Sequence, residues 1–267
     1  MLTKLPQTFQ QLTAEDQAIY GEPGLVHLTP PPPRNPSCQT KLENWLNWRA
    51  APYPAQRHSE YLHRPNIDGD GGPKILISAF MPTPTTVEDY LATISPDRRY
   101  DVRGKKAANR GYTARAIKPQ EQSHGIWEIL HSSDQRQGRP IAPMFGDRPP
   151  QYDFPSYIDY GDPDYDDICC GVFAPDGGLA AYLLGKRVGD HVQYDEIMGH
   201  ADHIASDVMY LLHFAFLQLC MASEKPPPCL NYGSWYSGAN AFSPEGGLNR
   251  WKRKVNFKPG YLIAACS

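Results

Sequence analysis

The sequence predicts an α/β fold in which a mixed, mostly antiparallel sheet is flanked by helices, and three observations carry that prediction. From Lys74 onward, short apolar runs of strand length alternate with helical periodicities. Asp167 to Phe173, Gly178 to Lys186 and His191 to Met198 are separated only by the turns Pro175-Asp176-Gly177-Gly178 and Val188-Gly189-Asp190, the pattern of an antiparallel meander. Ile204 to Ala222 is apolar on nearly every face, as a helix is when it is sandwiched against a sheet.

Taken in order, residues 1–73 read as a Pro/Gly-rich N-terminal extension and 74–267 as the folded α/β domain. Within the extension, Pro30-Pro31-Pro32-Pro33 is an extended connector, Lys41 to Ala50 is a helix carrying Trp45 and Trp48, and Asp68-Gly69-Asp70-Gly71-Gly72 is the boundary. Lys74 to Phe80 reads as a buried strand and Thr85 to Ile94 as a helix. Ser95-Pro96-Asp97 supplies the cap, first-turn proline and acidic second position of a further helix running to about Asn109. Tyr112 to Ile117 is a strand, and Glu121 to Asp134 an amphipathic helix with Ile126, Trp127, Ile129 and Leu130 on its apolar side. Residues 139–165, dense in Pro, Asp and Tyr, form a long loop of the kind that covers sites. After the meander and the apolar helix, Pro226-Pro227-Pro228 forces a stop, Cys229 to Gly233 is a strand, and a short basic helix precedes the last strand, Gly260 to Ala265.

At 267 residues and 40% hydrophobic content the chain is large enough to build its own core. The net charge of −3 leaves no global field for an anionic partner, so such affinity has to come from local clusters. The N-terminus shows no apolar core followed by a cleavage site, and the longest apolar run, Val208 to Ala222, falls short of the roughly 20 residues of a membrane span. A soluble, cytoplasmic protein that does not engage a membrane is therefore expected. The six cysteines show no Cys-x-x-Cys spacing, and reduced, mostly buried thiols are expected.

Two basic clusters stand out. Eight basic side chains lie between Arg98 and Lys118, and Arg99, Arg103, Lys106 and Arg110 share one helix face at i, i+4, i+7 and i+11. Such a ridge is either a solvated helix face or a grip on phosphates, where arginine offers a fork and lysine a point charge. The second cluster, Arg250, Lys252, Arg253, Lys254 and Lys258, lies in Gly246-Gly247-Leu248-Asn249-Arg250-Trp251-Lys252-Arg253-Lys254-Val255-Asn256-Phe257-Lys258-Pro259-Gly260-Tyr261-Leu262. On a helix, Leu248, Trp251 and Val255 face the core, Arg250, Arg253 and Lys254 face outward, and Lys252 lies at the edge.

This stretch, Gly-Leu-x-x-Trp-Lys-x-Lys closing on a Phe before the last strand, resembles the C-terminal signature of the Fem-type branch of the GNAT superfamily. The order meander, buried helix, strand, short helix, strand is also that of the second half of a GNAT fold, so the resemblance spans roughly 74–265. It implies a GNAT-like sheet and acyl or aminoacyl transfer. The donor substrate would be acyl-CoA (acetyl-CoA, for example) or aminoacyl-tRNA, with no tightly bound cofactor. Ordinary GNAT acetyltransferases carry on this helix a tyrosine five positions before a Gly-Phe pair. Here Lys252 stands five positions before Phe257 and Asn256 replaces the glycine. The resemblance implies an electrostatic role for Lys252 on charge that builds during transfer.

Removing the proton from an acceptor amine calls for a carboxylate or imidazole. Asp195 and Glu196 lie on the third meander strand, where strict alternation puts Tyr194 and Glu196 on one face and Gln193 and Asp195 on the other, and Glu196 is the expected base. The loop from Gly199 to Asp207, with His200 and His203, stands where CoA-using GNAT enzymes have a glycine-rich pyrophosphate loop, yet it has no glycine after Gly199. His200 and His203, together with the ridge Arg99, Arg103, Lys106 and Arg110, are the expected grip on the donor. Tyr194, Tyr232, Trp235 and Tyr236 are candidates for an acceptor wall. No metal is expected: His200, Asp202, His203 and His213 lack ligand spacing, and Asp162-x-Asp164-x-Asp166 has Asp167 and Phe173 where a calcium loop needs Gly and Glu. With no nucleophilic Cys or Ser pattern, direct transfer to an amine in a ternary complex is expected. A nucleic-acid-directed enzyme or binder using the same clusters on tRNA or DNA, and a non-catalytic partner-binding protein, remain open.

Overall fold

The computed structural model describes residues 8–9, 12–28, 30–50, 74–75, 77–94, 102–136, 139–140, 159–239 and 243–264. The first half contains β1 (Thr8–Phe9), α1 (Ala14–Tyr20), β2 (Gly24–Leu28), α2 (Pro36–Ala50), β3 (Lys74–Ile75), β4 (Ile77–Pro82), α3 (Val87–Thr93), α4 (Arg103–Asn109), β5 (Thr113–Ala116), α5 (Ser123–His131), β6 (Gln135–Arg136) and β7 (Arg139–Pro140). The second contains β8 (Ile168–Phe173), β9 (Leu179–Val188), β10 (His191–Gly199), α6 (Ala201–Ile204), α7 (Val208–Ala222), β11 (Cys229–Ser234), α8 (Pro244–Lys254) and β12 (Lys258–Ala264).

Eight of these strands form one sheet in the order β2-β12-β4-β11-β10-β9-β8-β5. The pairs β10–β11 and β2–β12 are parallel and the other five neighbours antiparallel, so the sheet is mixed and mostly antiparallel, as expected. The meander β8–β9–β10 forms for the reasons its turns predict. At the β9–β10 turn Gly189 has φ 56, and a Cβ there would lie 2.7 Å from Pro30 and Pro31, so both conformation and space require glycine. β10 reaches β11 through α7, whose Leu211, Leu212, Phe214, Phe216, Leu217 and Cys220 are buried between sheet and neighbouring helices.

The sheet has two differently covered faces. On the front, α3, α4, α7 and α8 close over Ala181, Leu183, Val192, Tyr194, Leu230 and Phe257. On the reverse, α5 covers Phe173, Tyr182 and Leu184, and α2 with its neighbours covers Val188 and Tyr165. The division expected at residue 73 does not separate these segments in space: β2 pairs in parallel with β12, and Tyr165 O–H donates to Pro31 O at 2.7 Å.

The helix expected over 204–222 starts only at Val208, because Asp207 before it adopts a left-handed backbone, φ 63, and Ile204 instead closes the short helix α6. The helix expected over 121–134 begins as a 3-10 turn, Pro119–Gln122, and ends at His131. The Ser95-Pro96-Asp97 cap, the 68–72 boundary and residues 141–158 of the long loop lie outside the described residues. Among the described residues no helix is long and apolar enough to cross a membrane.

Candidate functional site

The parallel strands β10 and β11 pair at only three positions, His191↔Cys229, Val192↔Leu230 and Gln193↔Asn231, and then part. Each strand has a local reason to bend. On β10 the register against β9 jumps from Tyr194↔Gly185 to Glu196↔Leu184, leaving Asp195 as the extra residue of a β-bulge. On β11 the register against β4 shifts between Asn231 and Ser234, with Gly233 at φ 65. The result is a fork in the sheet, open beyond Gln193 and Asn231.

Lys252 reaches this fork from the front. Ser243 caps α8 by accepting the Gly246 N–H at 3.1 Å, Pro244 opens the helix, and Trp251 packs edge-on against Tyr210 of α7. This rotation drives Lys252 inward, a correction to the edge position expected for it. The residue is 3% exposed, its Nζ donates to Ser234 O at 2.6 Å, and the ammonium lies 5.1 and 5.3 Å from the ring centres of Tyr232 and Tyr236. Burial lowers its pKa from 10.5 to about 7, and among the described residues no carboxylate opposes that shift. The turn after α8 explains Asn256: its φ is 68, a conformation that asparagine tolerates nearly as glycine does, and it lets the Phe257 N–H return to Lys252 O at 2.9 Å.

The four aromatic candidates divide into two layers. Tyr232 and Tyr236 flank the Lys252 ammonium. Tyr194 lies beneath, 4.9 Å from Tyr232 between ring centres, buried and hydrogen-bonded through its hydroxyl to His213 Nδ1 at 3.1 Å. Burial drives the His213 pKa down to about 3, so that imidazole is neutral. Trp235 is 1% exposed and packs edge-on against Tyr20. Tyr194 and Trp235 therefore support the wall from within the core rather than line it.

The bulge corrects the face assigned to Glu196. With Asp195 inserted, alternation restarts, and Glu196 falls opposite Leu184 on the reverse face while Tyr194 stays on the front. Asp195 turns the same way, its carboxylate 2.9 Å from Lys186 Nζ. Glu196 Oε2 accepts from Tyr182 O–H at 3.1 Å; burial raises the Glu196 pKa, and that hydrogen bond partly counters it. Lys252 and Glu196 thus approach the fork from opposite faces.

The donor-side candidates gather at the start of α7. Arg99 lies outside the described residues. α4 rests on α7 through buried Gly104 and Ala107, which leaves Lys106 and Arg110 exposed on the outer side. Arg103 pairs with Asp207 at 3.1 Å and lies over the Tyr210 ring at 5.7 Å. His203 Nδ1 is 2.8 Å from Tyr112 O–H and its ring is 5.2 Å from His200. The series Arg103, Tyr210, Trp251 links this corner to the helix of Lys252 on the front face, while Lys106 and Arg110 point away on the outer side of α4.

No protein-family model and no curated protein matches the sequence. The structure does have counterparts among solved structures. The crystal structure of FemX superposes with a TM-score of 0.51 at 10% identity, over 69% of this chain and 59% of that one. The chain has a GNAT-like fold of the Fem type. L-PGS from Bacillus licheniformis (TM-score 0.42, 14% identity, 70% of this chain and 59% of that one) and a GCN5-related N-acetyltransferase from Kribbella flavida (0.38, 12%, 70% and 54%) are also similar. The chain spans less than two thirds of the length of each of these proteins.

Within this Fem-type frame, three contributors escaped the sequence reading. Asn249 holds the backbone of Tyr236, Ser234 gives its carbonyl to Lys252, and Tyr182 holds Glu196. Asn249 alone left a signal, as a polar residue on the helix turn that carries Leu248 and Trp251 to the core. A backbone carbonyl leaves no trace in sequence, and Tyr182 reads as an ordinary strand aromatic.

Proposed function

We propose that this protein is an N-acyltransferase that moves an acyl or aminoacyl group from a phosphate-bearing donor directly to an amine. The observation that carries the reading is the Lys252 ammonium, buried at the fork against a carbonyl and two aromatic rings. A cation in a dry site, already oriented by Ser234 O, stabilises negative charge far more than one in water. With the acyl carbonyl in the fork, the amine nitrogen attacks the carbonyl carbon and the oxygen takes up the electron pair beside Lys252. Glu196, or a water it orients, accepts the amine proton. Collapse re-forms the carbonyl and expels the donor's sulfur or ribose oxygen, which takes a proton from water while Glu196 releases the amine's proton to solvent.

Aminoacyl-tRNA is the favoured donor over acyl-CoA. The Asp207 carboxylate stands at the N-terminus of α7, paired with Arg103, where a pyrophosphate would need bare N–H groups. Exposed Lys105, Lys106 and Arg110 suit a polynucleotide backbone beside it.

The test incubates the full chain with radiolabelled acetyl-CoA or a mixture of labelled aminoacyl-tRNAs and a panel of primary amines, in wild type and Lys252→Ala. Label passing from tRNA to an amine, and lost in the variant, supports the reading. No transfer from either donor, with salt-sensitive tRNA binding intact, assigns the protein to nucleic-acid binding instead.

A further inference from the structure

The reverse face of the fork holds a polar strip that the transfer chemistry above uses only in part. It lies between two apolar patches, the α5 cluster over Leu184 and the α2 cluster over Val188, and β9 contributes Lys186 to it where the alternation of Tyr182, Leu184 and Val188 would place another apolar side chain. Across from Lys186 on β10 stands Gln193, and across from Gln193 on β11 stands Asn231. These two amides are the last register pair before the strands part.

Both carry an unsatisfied group. Asn231 is 0% exposed; its side chain leans forward along β11, so that Oδ1 accepts the Gly233 N–H at 3.0 Å inside the opened part of the fork, while Nδ2 meets no partner. Gln193 Oε1 is likewise buried without a donor. A buried donor and a buried acceptor left side by side cost stability, and in native proteins such a pair calls for an explanation. The two could be met by one molecule that gives hydrogens to Gln193 and accepts one from Asn231. Beside them the bulge has turned both Asp195 and Glu196 toward the same face, and the ammonium of Lys186, 2.9 Å from Asp195, already shows which ion the strip takes.

Resting on the transfer reading, we infer that this strip is the acceptor subsite, holding a primary ammonium between Gln193 Oε1 and the Asp195 and Glu196 carboxylates, with a neighbouring oxygen of the same molecule on Asn231 Nδ2. Lys252, Tyr232, Tyr236 and the aromatic layer under them occupy the front of the fork, so the amine is assigned to the reverse side of an acyl carbon held between the strands. The ligand class is an amine with a carbonyl or hydroxyl oxygen one or two bonds from the carbon that bears nitrogen. A simple alkylamine satisfies Gln193 and leaves Asn231 unpaired.

Side-chain carboxamide signals of Gln193 and Asn231, followed by nitrogen-15 NMR in the full chain, test this with three probes: glycinamide, ethylamine and acetamide. Glycinamide should shift both signals saturably, ethylamine should shift Gln193 with weaker affinity, and acetamide, which has the amide groups but no ammonium for the carboxylates, should bind at least about tenfold more weakly than glycinamide. Glu196→Gln should weaken glycinamide by about tenfold or more, the loss of one charge-assisted hydrogen bond. Gln193→Leu, at a half-buried position, gives a second arm should another variant fold poorly, and should weaken both amines. Equal responses to acetamide and glycinamide, or an unchanged affinity in Glu196→Gln, overturn the subsite. The titration needs no donor, so the two readings fail separately. Lys252-dependent transfer with silent carboxamides sinks the subsite alone, whereas glycinamide binding with no transfer from any donor sinks the transfer reading and leaves an amine-binding site.

Discussion

Asn249 grips Tyr236 twice: its Oδ1 accepts the Tyr236 N–H at 3.2 Å and its Nδ2 donates to the Tyr236 carbonyl at 2.8 Å. This reciprocal pair ties the segment after β11 to α8 and thereby sets Tyr236 over the Lys252 ammonium. Asn249→Ala removes both of these hydrogen bonds, while the Tyr236 carbonyl keeps the Ala239 N–H, and should cost about 1–3 kcal/mol in denaturant unfolding. It should also admit water to Lys252, raising that pKa from about 7 back toward 10.5. A lysine titration by NMR that stays near 7 in the variant would show that Tyr236 does not seal the site.

Lys252→Met should stabilise the protein below neutral pH. In the fold this lysine loses its proton at about 7 and in the unfolded chain at 10.5, so between those values the unfolded state binds more protons and stability climbs with pH. Below pH 7 the native state carries the full cost of a buried ammonium, at most about 5 kcal/mol by linkage and less after the lost Ser234 hydrogen bond. Thermal melts of both proteins from pH 6 to 10.5 should show the variant ahead at the acid end, with the gap closing as pH rises. A constant gap would mean that Lys252 is not depressed.

Transfer activity should fall as pH rises through about 7, because the protonated Lys252 is the form that stabilises the oxyanion. The acid limb should lie above the ordinary glutamate range, since burial raises Glu196. Lys252→Arg, which stays protonated, should retain a low rate and lose the alkaline limb. A limb near 7 that persists in Lys252→Arg assigns it to another group.

Asp207→Gly removes the carboxylate from the start of α7 while keeping a residue that adopts φ 63 without strain. It also releases Arg103. Calorimetry with CoA should then show binding at least about tenfold tighter than to the wild type, as a bare helix N-terminus beside an arginine takes anions. Wild-type protein that already binds CoA tightly would overturn the preference for a tRNA-borne donor.

Lys41 and Asp167 form a buried ion pair that anchors α2 to the start of β8, and Lys41 also donates to Tyr165 O at 2.6 Å. Burial pushes both groups toward their neutral forms, lowering Lys41 and raising Asp167. Lys41→Met strands a buried carboxylate and should cost about 3–5 kcal/mol, whereas Lys41→Met with Asp167→Leu should recover much of that loss. Urea unfolding of the three proteins gives the comparison. Equal losses in the single and double variants would show that the pair contributes only its packing.

The sequence alone determined most of the strands and helices from Lys74 onward and where the chemistry-bearing residues lie along the chain, whereas β2, which joins the sheet edge beside β12, was not legible. Gly189 in the β9–β10 turn and the nearly unbroken apolarity of α7 are local signals, and each has a local cause. The pairing of a lysine with a phenylalanine five residues on was also legible, because both belong to one turn of chain. Only the tertiary structure decided which faces those residues occupy. One inserted residue, Asp195, turned Glu196 away from Tyr194, and period-two alternation holds only where the register of a neighbouring strand permits it. Packing of Trp251 on Tyr210 rotated Lys252 from the edge of its helix into a dry site, where its charge acquires chemical use. A left-handed Asp207 moved the start of the apolar helix to Val208 and set a carboxylate at its N-terminus. Each of these depends on a partner far away in the chain, and such contacts exist only once the sheet has closed around its fork.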